Sequence, residues 1–343
     1  MTGQCNPGLL AFVLAGLLGA HSLAIEKPNF VVILGEGHGW SSTSVQMDDA
    51  VPASKSTLVR TPNFEKLAQG GMRFANFYAP SPRCTPSRAA IFTGESPAQL
   101  HMTFVNEGRK DSGGNPNGRV ITPSASTELP TNETTIAELL RRAGYATAHF
   151  GKWHVGRVSP SQHGFDESDG PTNNGGPDDV ANPHPKQLYG MTERGMDFMT
   201  RQAKAGKPFY LQLSQYASRQ GGDASPAALA AVKGWGGNLS ERENAEAAAD
   251  LDLDIAFGMV LKKLDDLDIA NKTYVIFTAD HGSPGRNPPL SGGKGTVSEG
   301  GLRVPFIIRG PGIQAGACSR TCAVGEDLFP TIAALAQVSE PLP

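Results

Sequence analysis

The segment Cys84-Thr85-Pro86-Ser87-Arg88 places a thiol and a guanidinium four residues apart at a predicted helix start. We expect Thr85 to be the N-cap residue and Pro86 the first helical residue, where its missing N–H costs nothing. A helix start offers free backbone N–H groups and the positive end of the helix dipole. A group held at Cys84 is therefore suited to an anion. A buried cysteine beside a capping turn is the structural alternative.

Other titratable side chains follow apolar, strand-like segments. Lys152 and His154 come after one segment, and Asp280 and His281 come after another, with Lys294 in the loop beyond. A lysine and a histidine two residues apart are, taken alone, more often surface residues than catalysts. An Asp-His pair either caps the next helix or supplies an oxygen and a nitrogen ligand to one divalent ion.

These segments together resemble the signature motifs of the type I sulfatases, which belong to the alkaline phosphatase superfamily. Residues 84–94 are similar to the family's C-x-P-x-R motif, and residues 151–156 to its G-K-W-H-x-G motif. Residues 277–282 resemble F-T-x-D-[NH]-G, and residues 299–305 resemble E-G-G-x-R-V-P. The motifs occur in the family's order between about Pro28 and Pro330.

The resemblance implies a role for each residue of these motifs. A formylglycine-generating maturation enzyme is expected to oxidise Cys84 to formylglycine, whose hydrate acts as the nucleophile toward sulfur. Lys152 and Lys294 are expected to bind the sulfate, and Arg88 to hold the nucleophile and the carboxylates in place. His154 is expected to accept a proton. The implied reaction is hydrolysis of a sulfate monoester, with a sulfated carbohydrate or small molecule as substrate.

The same resemblance implies a divalent metal ion, Ca²⁺ in the first instance and Mg²⁺ as the alternative. Four residues are expected to ligate it: Glu36, residue 84, Asp280 and His281.

The chain departs from the family pattern in three places. Glu36 and Gly37 stand where the family has two metal-binding aspartates, which removes one oxygen donor and one negative charge. Arg219 stands where the family has a histidine that contacts the sulfate and the leaving oxygen; it still binds sulfate but is too weak an acid to protonate an alcohol. Only twelve residues follow Thr331, so the family's small C-terminal subdomain is expected to be missing.

Strand-like and helical segments alternate along the chain, which predicts an α/β fold with one large, mostly parallel sheet and helices on both faces. In such sheets the chemistry lies at the carboxyl ends of the strands. The predicted strands are residues 30–34, 146–150, 209–213, 274–277 and 306–308, and the predicted helices are 135–143 and 241–267.

Composition narrows the setting in which the chain works. Its 343 residues carry a formal net charge of −3 without a run of Lys or Arg, which argues against a nucleic-acid partner. Residues 1–24 read as a secretory signal peptide and 25–343 as the catalytic domain, and no later segment is a membrane-span candidate. The expected location is periplasmic or extracellular, or lysosomal or secretory in a eukaryotic host. Cys318 and Cys322 are able to pair in a tight turn but not along an extended strand.

Two other functions remain open at this point. The departures at Glu36, Gly37 and Arg219 are compatible with an impaired homologue that binds sulfated glycans without turnover. Phosphoester hydrolysis is a third possibility within the superfamily, but it uses Ser or Thr as nucleophile, and the complete C-x-P-x-R motif argues against it.

Overall fold

The computed structural model describes residues 27–105, 125–174, 187–216, 223–285, 287–340 and 342. The predicted signal peptide and Arg219 lie outside the described residues. The strands of the described part are β1 (Asn29–Gly35), β2 (Met72–Tyr78), β3 (Ala146–Gly151), β4 (Glu167–Ser168), β5 (Phe209–Ser214), β6 (Thr273–Ala279), β7 (Ile307–Arg309) and β8 (Ala317–Val324). Its α-helices are α1 (Pro62–Gln69), α2 (Cys84–Thr93), α3 (Ile136–Arg142), α4 (Leu188–Lys204), α5 (Pro226–Gly234), α6 (Glu241–Asp266), α7 (Glu299–Leu302) and α8 (Leu328–Leu335).

The strands form one sheet in the order β4-β3-β5-β1-β6-β7-β2-β8. Neighbouring strands from β4 to β6 run parallel, β7 is antiparallel to both of its neighbours, and β2 and β8 are parallel to each other. Because β1 and β6 lie at the centre and are buried along their whole length, their carboxyl ends meet in the middle of one edge.

Helices cover both faces of the sheet, as the sequence predicts. Along β1, Phe30, Val32 and Leu34 point into one core with α2, α3 and α8, because successive strand residues face opposite sides. Val31 and Ile33 point into the other core with α1, α4 and α6. The predicted α/β architecture is confirmed.

Most predicted elements are confirmed, each within a few residues of its predicted ends. Both predicted helices occur as α3 and α6, and each begins with a capping box, from Thr135 and from Ser240. The strands β2, β4 and β8 were not predicted. Their sequences are partly exposed and mixed in polarity, so they lack the apolar run that marks a buried strand.

Cys318 and Cys322 lie on β8 and are both free thiols, because an extended strand holds residues four apart too far from each other for a disulfide. Among the described residues no helix is long and apolar enough to cross a membrane.

A candidate active site at the carboxyl edge of the sheet

The site forms where central strands end and α2 begins. Glu36 directly follows β1, Lys152 directly follows β3, and Asp280 and His281 directly follow β6. Parallel strands bring these four side chains to one edge although they are as much as 245 residues apart in sequence. Cys84 is the first residue of α2, which starts after the carboxyl end of β2.

The local structure around Cys84 corrects one prediction. The helix begins at Cys84 and its N-cap is Arg83, in an extended conformation, so the prediction of Thr85 as N-cap is wrong. The Thr85 hydroxyl donates a hydrogen bond of 2.9 Å to the carbonyl of His154. The prediction of Pro86 as the first helical residue is also wrong, because it is the third residue of the helix. It still lies within the first turn, where no backbone N–H is needed.

The Cys84 thiol lies inside a buried polar cluster. Its Sγ donates to Oε1 of Glu36 at 3.2 Å and lies 3.2 Å from Nε2 of His281. Every residue of α2 is buried, so this helix start does not face bulk solvent. Removal of water strengthens the effect of each nearby charge on the group at position 84.

Glu36 is the centre of the cluster's ion pairs. Its Oε2 accepts from Nη2 of Arg88 and from Nζ of Lys152, both at 3.0 Å, and its Oε1 accepts from Nζ of Lys294 at 3.1 Å. Burial alone raises the pKa of Glu36, but the charge of Lys152 and the hydrogen bond and charge of His281 lower it well below its ordinary value. Glu36 is therefore an ionised carboxylate that neutralises part of a cationic pocket.

Arg88 fixes the two carboxylates relative to each other. Its Nε donates to Oδ2 of Asp280 at 3.0 Å and its Nη2 contacts Glu36, while its Nη1 donates to the Lys152 carbonyl at 2.7 Å. The guanidinium is fully buried. Its five N–H donors in a rigid plane suit this positioning role, which the sequence predicts.

Glu36, Cys84, Asp280 and His281 have ligand atoms that all lie within 4.8 Å of one another. Nδ1 of His281 contacts the carbonyl of Gly282 at 2.9 Å, which orients Nε2 toward the carboxylates of Glu36 and Asp280, both at 3.5 Å. Such an outer hydrogen bond is typical of metal-binding histidines. Two carboxylates and an imidazole therefore fit a divalent ion.

The protonation state of His281 makes metal binding at this cluster dependent on pH. Burial opposes protonation of His281, but the charge of Asp280 and the contacts with Cys84 and Glu36 raise its pKa to about 10. A metal ion at Nε2 displaces a proton that this site otherwise retains, so binding strengthens as the pH rises.

Gly37 contacts the cluster through its backbone. Its backbone φ is +65° and its N–H donates to Oδ1 of Asp280 at 3.0 Å. A Cβ at this position would lie 3.2 Å from Cε1 of His281. The backbone N–H thus holds Asp280, and a side chain at residue 37 would lie close to His281.

Lys152 and His154 follow the carboxyl end of β3. The Lys152 Nζ, fully buried, donates to Glu36 and also to Oδ1 of Asn174 at 2.6 Å. Burial, followed by the charges of Lys152 and Arg88, lowers the pKa of His154 to about 2, so its imidazole is neutral near neutral pH. Sequence analysis missed Asn174, because a single asparagine in a Gly- and Asn-rich loop carries no spacing signal.

The cluster opens toward solvent beside Lys294. The Lys294 side chain is 18% exposed, whereas those of Arg88 and Lys152 are fully buried. Burial lowers the pKa of Lys294, but the charge of Glu36 outweighs it and the pKa is raised, so the amine keeps its proton. Lys294 borders a surface pocket of about 650 Å³, here called the Lys294 pocket, which is lined by Pro284, Gly285, Asn287, Pro288, Pro289, Leu290, Ser291, Gly292, Gly293, Lys294 and Thr296.

The structure thus gathers Glu36, Cys84, Arg88, Lys152, Asp280, His281 and Lys294 in one contact network, with His154 beside it. Arg219 belongs to the segment outside the described residues.

Fold and site together define an α/β protein with a cationic, carboxylate-containing centre at the strand ends. The family model described as Sulfatase matches residues 28–338. Human N-acetylgalactosamine-6-sulfatase is 31% identical over 360 residues, which cover 93% of this chain and 64% of that protein. Human arylsulfatase A is 31% identical over 373 residues, which cover 94% of this chain and 67% of that protein. The chain belongs to the sulfatase family.

Solved structures agree with this assignment. The PsFucS1 sulfatase from Pseudoalteromonas sp. has a TM-score of 0.71 at 26% identity, covering 92% of this chain and 69% of that one. Ps i-CgsB in complex with k-i-k-neocarrahexaose has a TM-score of 0.77 at 24% identity, covering 92% and 73%, and shares the fold. The chain spans about two thirds of the length of the relatives that it matches.

Proposed function

We propose that this protein hydrolyses sulfate monoesters of sulfated carbohydrates, with Cys84 converted to formylglycine by a maturation enzyme. One observation carries the proposal. Cys84 is the first residue of a buried helix, and its Sγ lies 3.2 Å from both Glu36 and His281, in the cluster that also holds the cationic side chains of Arg88, Lys152 and Lys294. Residues 25–343 are the proposed catalytic domain, which we propose to be exported behind a signal peptide at 1–24.

The net charge of the cluster fits a sulfate monoester. Arg88, Lys152 and Lys294 carry three positive charges against the two carboxylates of Glu36 and Asp280. The pKa of His281 is raised to about 10, so its imidazolium adds a further positive charge, and the cluster as a whole is positively charged, which suits the negative charge of the ester. Preorganised charges in a site shielded from water stabilise an anionic transition state without reorganisation.

Positioning follows from the same contacts. Lys152 donates to Oε2 of Glu36 and Lys294 donates to Oε1. An ester oxygen that binds between the two amines therefore gains a charged donor on each side. Arg88 holds Glu36 and Asp280 in fixed positions. Holding the ester in line with residue 84 replaces a bimolecular encounter by an oriented one.

Proton transfer falls to His154 in this proposal. The sequence resemblance supports this role. The imidazole is neutral near neutral pH, but its pKa of about 2 makes it a weak base, so protein charges beside it oppose the transfer. Lys294 contributes charge rather than a proton, because its pKa is raised. We therefore expect aryl sulfates, whose leaving group needs no proton, to be turned over without help from an acid.

The proposed metal ion is Ca²⁺, with Mg²⁺ as the alternative, and Glu36, residue 84, Asp280 and His281 are its proposed ligands. When bound, a divalent ion supplies positive charge that polarises the sulfate group and the nucleophile. The donor set supports a divalent ion, and the choice between the two ions rests on the sequence resemblance.

The decisive experiment uses protein produced together with a formylglycine-generating enzyme. We expect release of sulfate from an aryl sulfate, and an aldehyde at residue 84 detected by mass spectrometry of the corresponding peptide. Cys84→Ala is expected to abolish sulfate release, whereas Cys318→Ala, which changes a thiol on β8, is the matched control and is expected to retain it. Activity that survives Cys84→Ala contradicts the proposal, and binding of sulfated glycans without turnover favours the impaired homologue instead.

A further inference from the structure

Arg83 is a cationic residue next to the proposed nucleophile that no motif assigns. It immediately precedes Cys84 and is the N-cap residue of α2, with an extended backbone. Its guanidinium carbon lies 5.1 Å from the centre of the Phe104 ring. Phe104 is itself 48% exposed, so this stacked pair borders solvent.

Arg83 also packs against the edge of the Lys294 pocket. A Cβ placed on Gly295 would lie 2.7 Å from Nη2 of Arg83, and Gly295 has a φ of +87°, so a glycine is required there. The Gly295 N–H donates to the carbonyl of Pro82 at 2.8 Å, which ties the two loops together. Gly295 lies between Lys294 and Thr296, and both of these residues line the pocket. The Arg83 guanidinium therefore lies beside residues 294–296, at the border of the Lys294 pocket.

Arg83 differs from the cationic side chains of the cluster in its ion pairs. Arg88, Lys152 and Lys294 each pair with Glu36. Within the part of the chain that the structure describes, no carboxylate pairs with Arg83. A guanidinium that lies over an aromatic ring and beside a glycine, and that pairs with none of the described carboxylates, can bind an anion that comes from outside.

We propose that Arg83 binds a second anionic group of the substrate, so that the preferred substrate is a saccharide with a further sulfate or a carboxylate close to the ester that is cleaved. The inference rests on the proposed function. A planar guanidinium pairs with a carboxylate or a sulfate through two parallel hydrogen bonds. Stacking on Phe104 restricts the guanidinium before the ligand arrives, so less conformational entropy is lost on binding.

The test compares three saccharide substrates: one with a single sulfate, one with a second sulfate, and one with a single sulfate beside a uronate carboxylate. The measured quantity is the ratio of kcat/KM for each doubly anionic substrate to kcat/KM for the singly sulfated one. Arg83→Gln is expected to lower this ratio by about tenfold to a hundredfold, the effect of losing a charged hydrogen bond. Arg83→Lys keeps the charge but not the fork, so we expect a smaller decrease.

Arg60→Gln is the matched control. Arg60 stacks on Trp235 at 5.0 Å in the same way, but it belongs to the helical layer around α5 and not to the cluster, so the ratio is expected to stay as in the unmodified protein. An equal loss on all three substrates after Arg83→Gln means that Arg83 only supports the structure, and it overturns the inference. The substrate whose ratio falls identifies the second group as sulfate or carboxylate.

Binding measurements separate this inference from the proposed function. Isothermal titration of Cys84→Ala protein with the same three saccharides reports the Arg83 contact without turnover. If the unmodified protein releases no sulfate but Arg83→Gln still removes a preference for a doubly anionic ligand, the proposed function fails and the Arg83 subsite stands. If Cys84→Ala protein binds the three ligands equally, the subsite is refuted whatever the activity.

Discussion

Replacing Glu36 by Gln removes the charge that pairs with three cationic side chains, of which Arg88 and Lys152 are fully buried. Glu36 is 1% exposed and contacts Arg88 and Lys152 at 3.0 Å and Lys294 at 3.1 Å. In a medium of effective dielectric constant about 20, each contact is worth about 5 kcal/mol before the cost of desolvating the charges. Removing one partner of a buried pair destabilises proteins by about 3–5 kcal/mol, and we expect Glu36→Gln to lower the free energy of unfolding by that amount.

Glu36→Asp is the matched variant because it keeps the charge and shortens the side chain by one methylene. The shorter carboxylate is not expected to reach both lysines, so we expect a smaller loss of about 1–2 kcal/mol. Urea unfolding of the unmodified protein and both variants, with chelator and again with Ca²⁺, gives the three free energies. Equal stability of Glu36→Gln and the unmodified protein would falsify the view that Glu36 is the counter-ion of the cluster.

A second measurement tests the charge argument independently. Glu36→Gln leaves three cationic side chains facing only Asp280, so a bound sulfate anion relieves more repulsion in the variant than in the unmodified protein. Sodium sulfate is therefore expected to raise the melting temperature of Glu36→Gln more than that of the unmodified protein, by mass action on the folded state. Sodium chloride at equal ionic strength is the control. A shift of equal size in both proteins contradicts the prediction.

Three further predictions concern residues around the cluster. Gly37→Asp adds a carboxylate beside His281, and we expect it to tighten Ca²⁺ binding by about tenfold in calorimetry and to lower the free energy of unfolding by about 1 kcal/mol. Gly37→Ala is the control and is expected to bring only the loss of stability, because it places a side chain at positive φ. Unchanged Ca²⁺ affinity of Gly37→Asp refutes this prediction. Thr85→Val leaves the buried His154 carbonyl without its donor, and we expect it to lower the free energy of unfolding by about 1–3 kcal/mol in urea and to lower kcat. Thr85→Ser keeps the hydroxyl and is expected to behave like the unmodified protein. Equal stability of the two variants contradicts the contact. Burial, and then the charge of Arg88, lowers the pKa of His149 to about 3, so between about pH 6.5 and 3 the unfolded chain binds one proton more than the folded protein and stability falls as the pH is lowered. We expect His149→Gln to reduce this fall in the free energy of unfolding by about 2–3 kcal/mol between about pH 6.5 and 4.5, measured by urea unfolding. An unchanged pH profile contradicts the prediction.

Local sequence is enough to predict the elements that carry the site. The buried strands β1, β3, β5 and β6 are apolar runs bounded by polar residues, and α3 and α6 begin with capping boxes that involve only neighbouring residues. The strand β4 at one edge of the sheet and the strands β2 and β8 at the other edge are not predicted. Their half-exposed residues depend on tertiary neighbours for burial, and the pairing of β2 with β8 joins segments more than 240 residues apart.

The start of α2 shows the limit of a local rule. Thr85 and Pro86 satisfy the sequence preferences for an N-cap and a first helical residue, but the helix begins two residues earlier than predicted, at Cys84. The Thr85 hydroxyl is drawn to the carbonyl of His154, a residue 69 positions away. A capping preference operates within a few residues and does not specify where tertiary contacts place the helix start.

The sequence by itself determined the residue types of the site, because the chemistry of a thiol, two lysines, an arginine, two carboxylates and an imidazole is carried by the side chains. It also determined that these residues follow strands, since strand patterns are local. Only the tertiary structure decided that Glu36 pairs with Arg88, Lys152 and Lys294 at once, and that Arg83 lies beside Gly295. The reason is that strand order brings distant strand ends to one edge, and burial there sets which charges must neutralise one another.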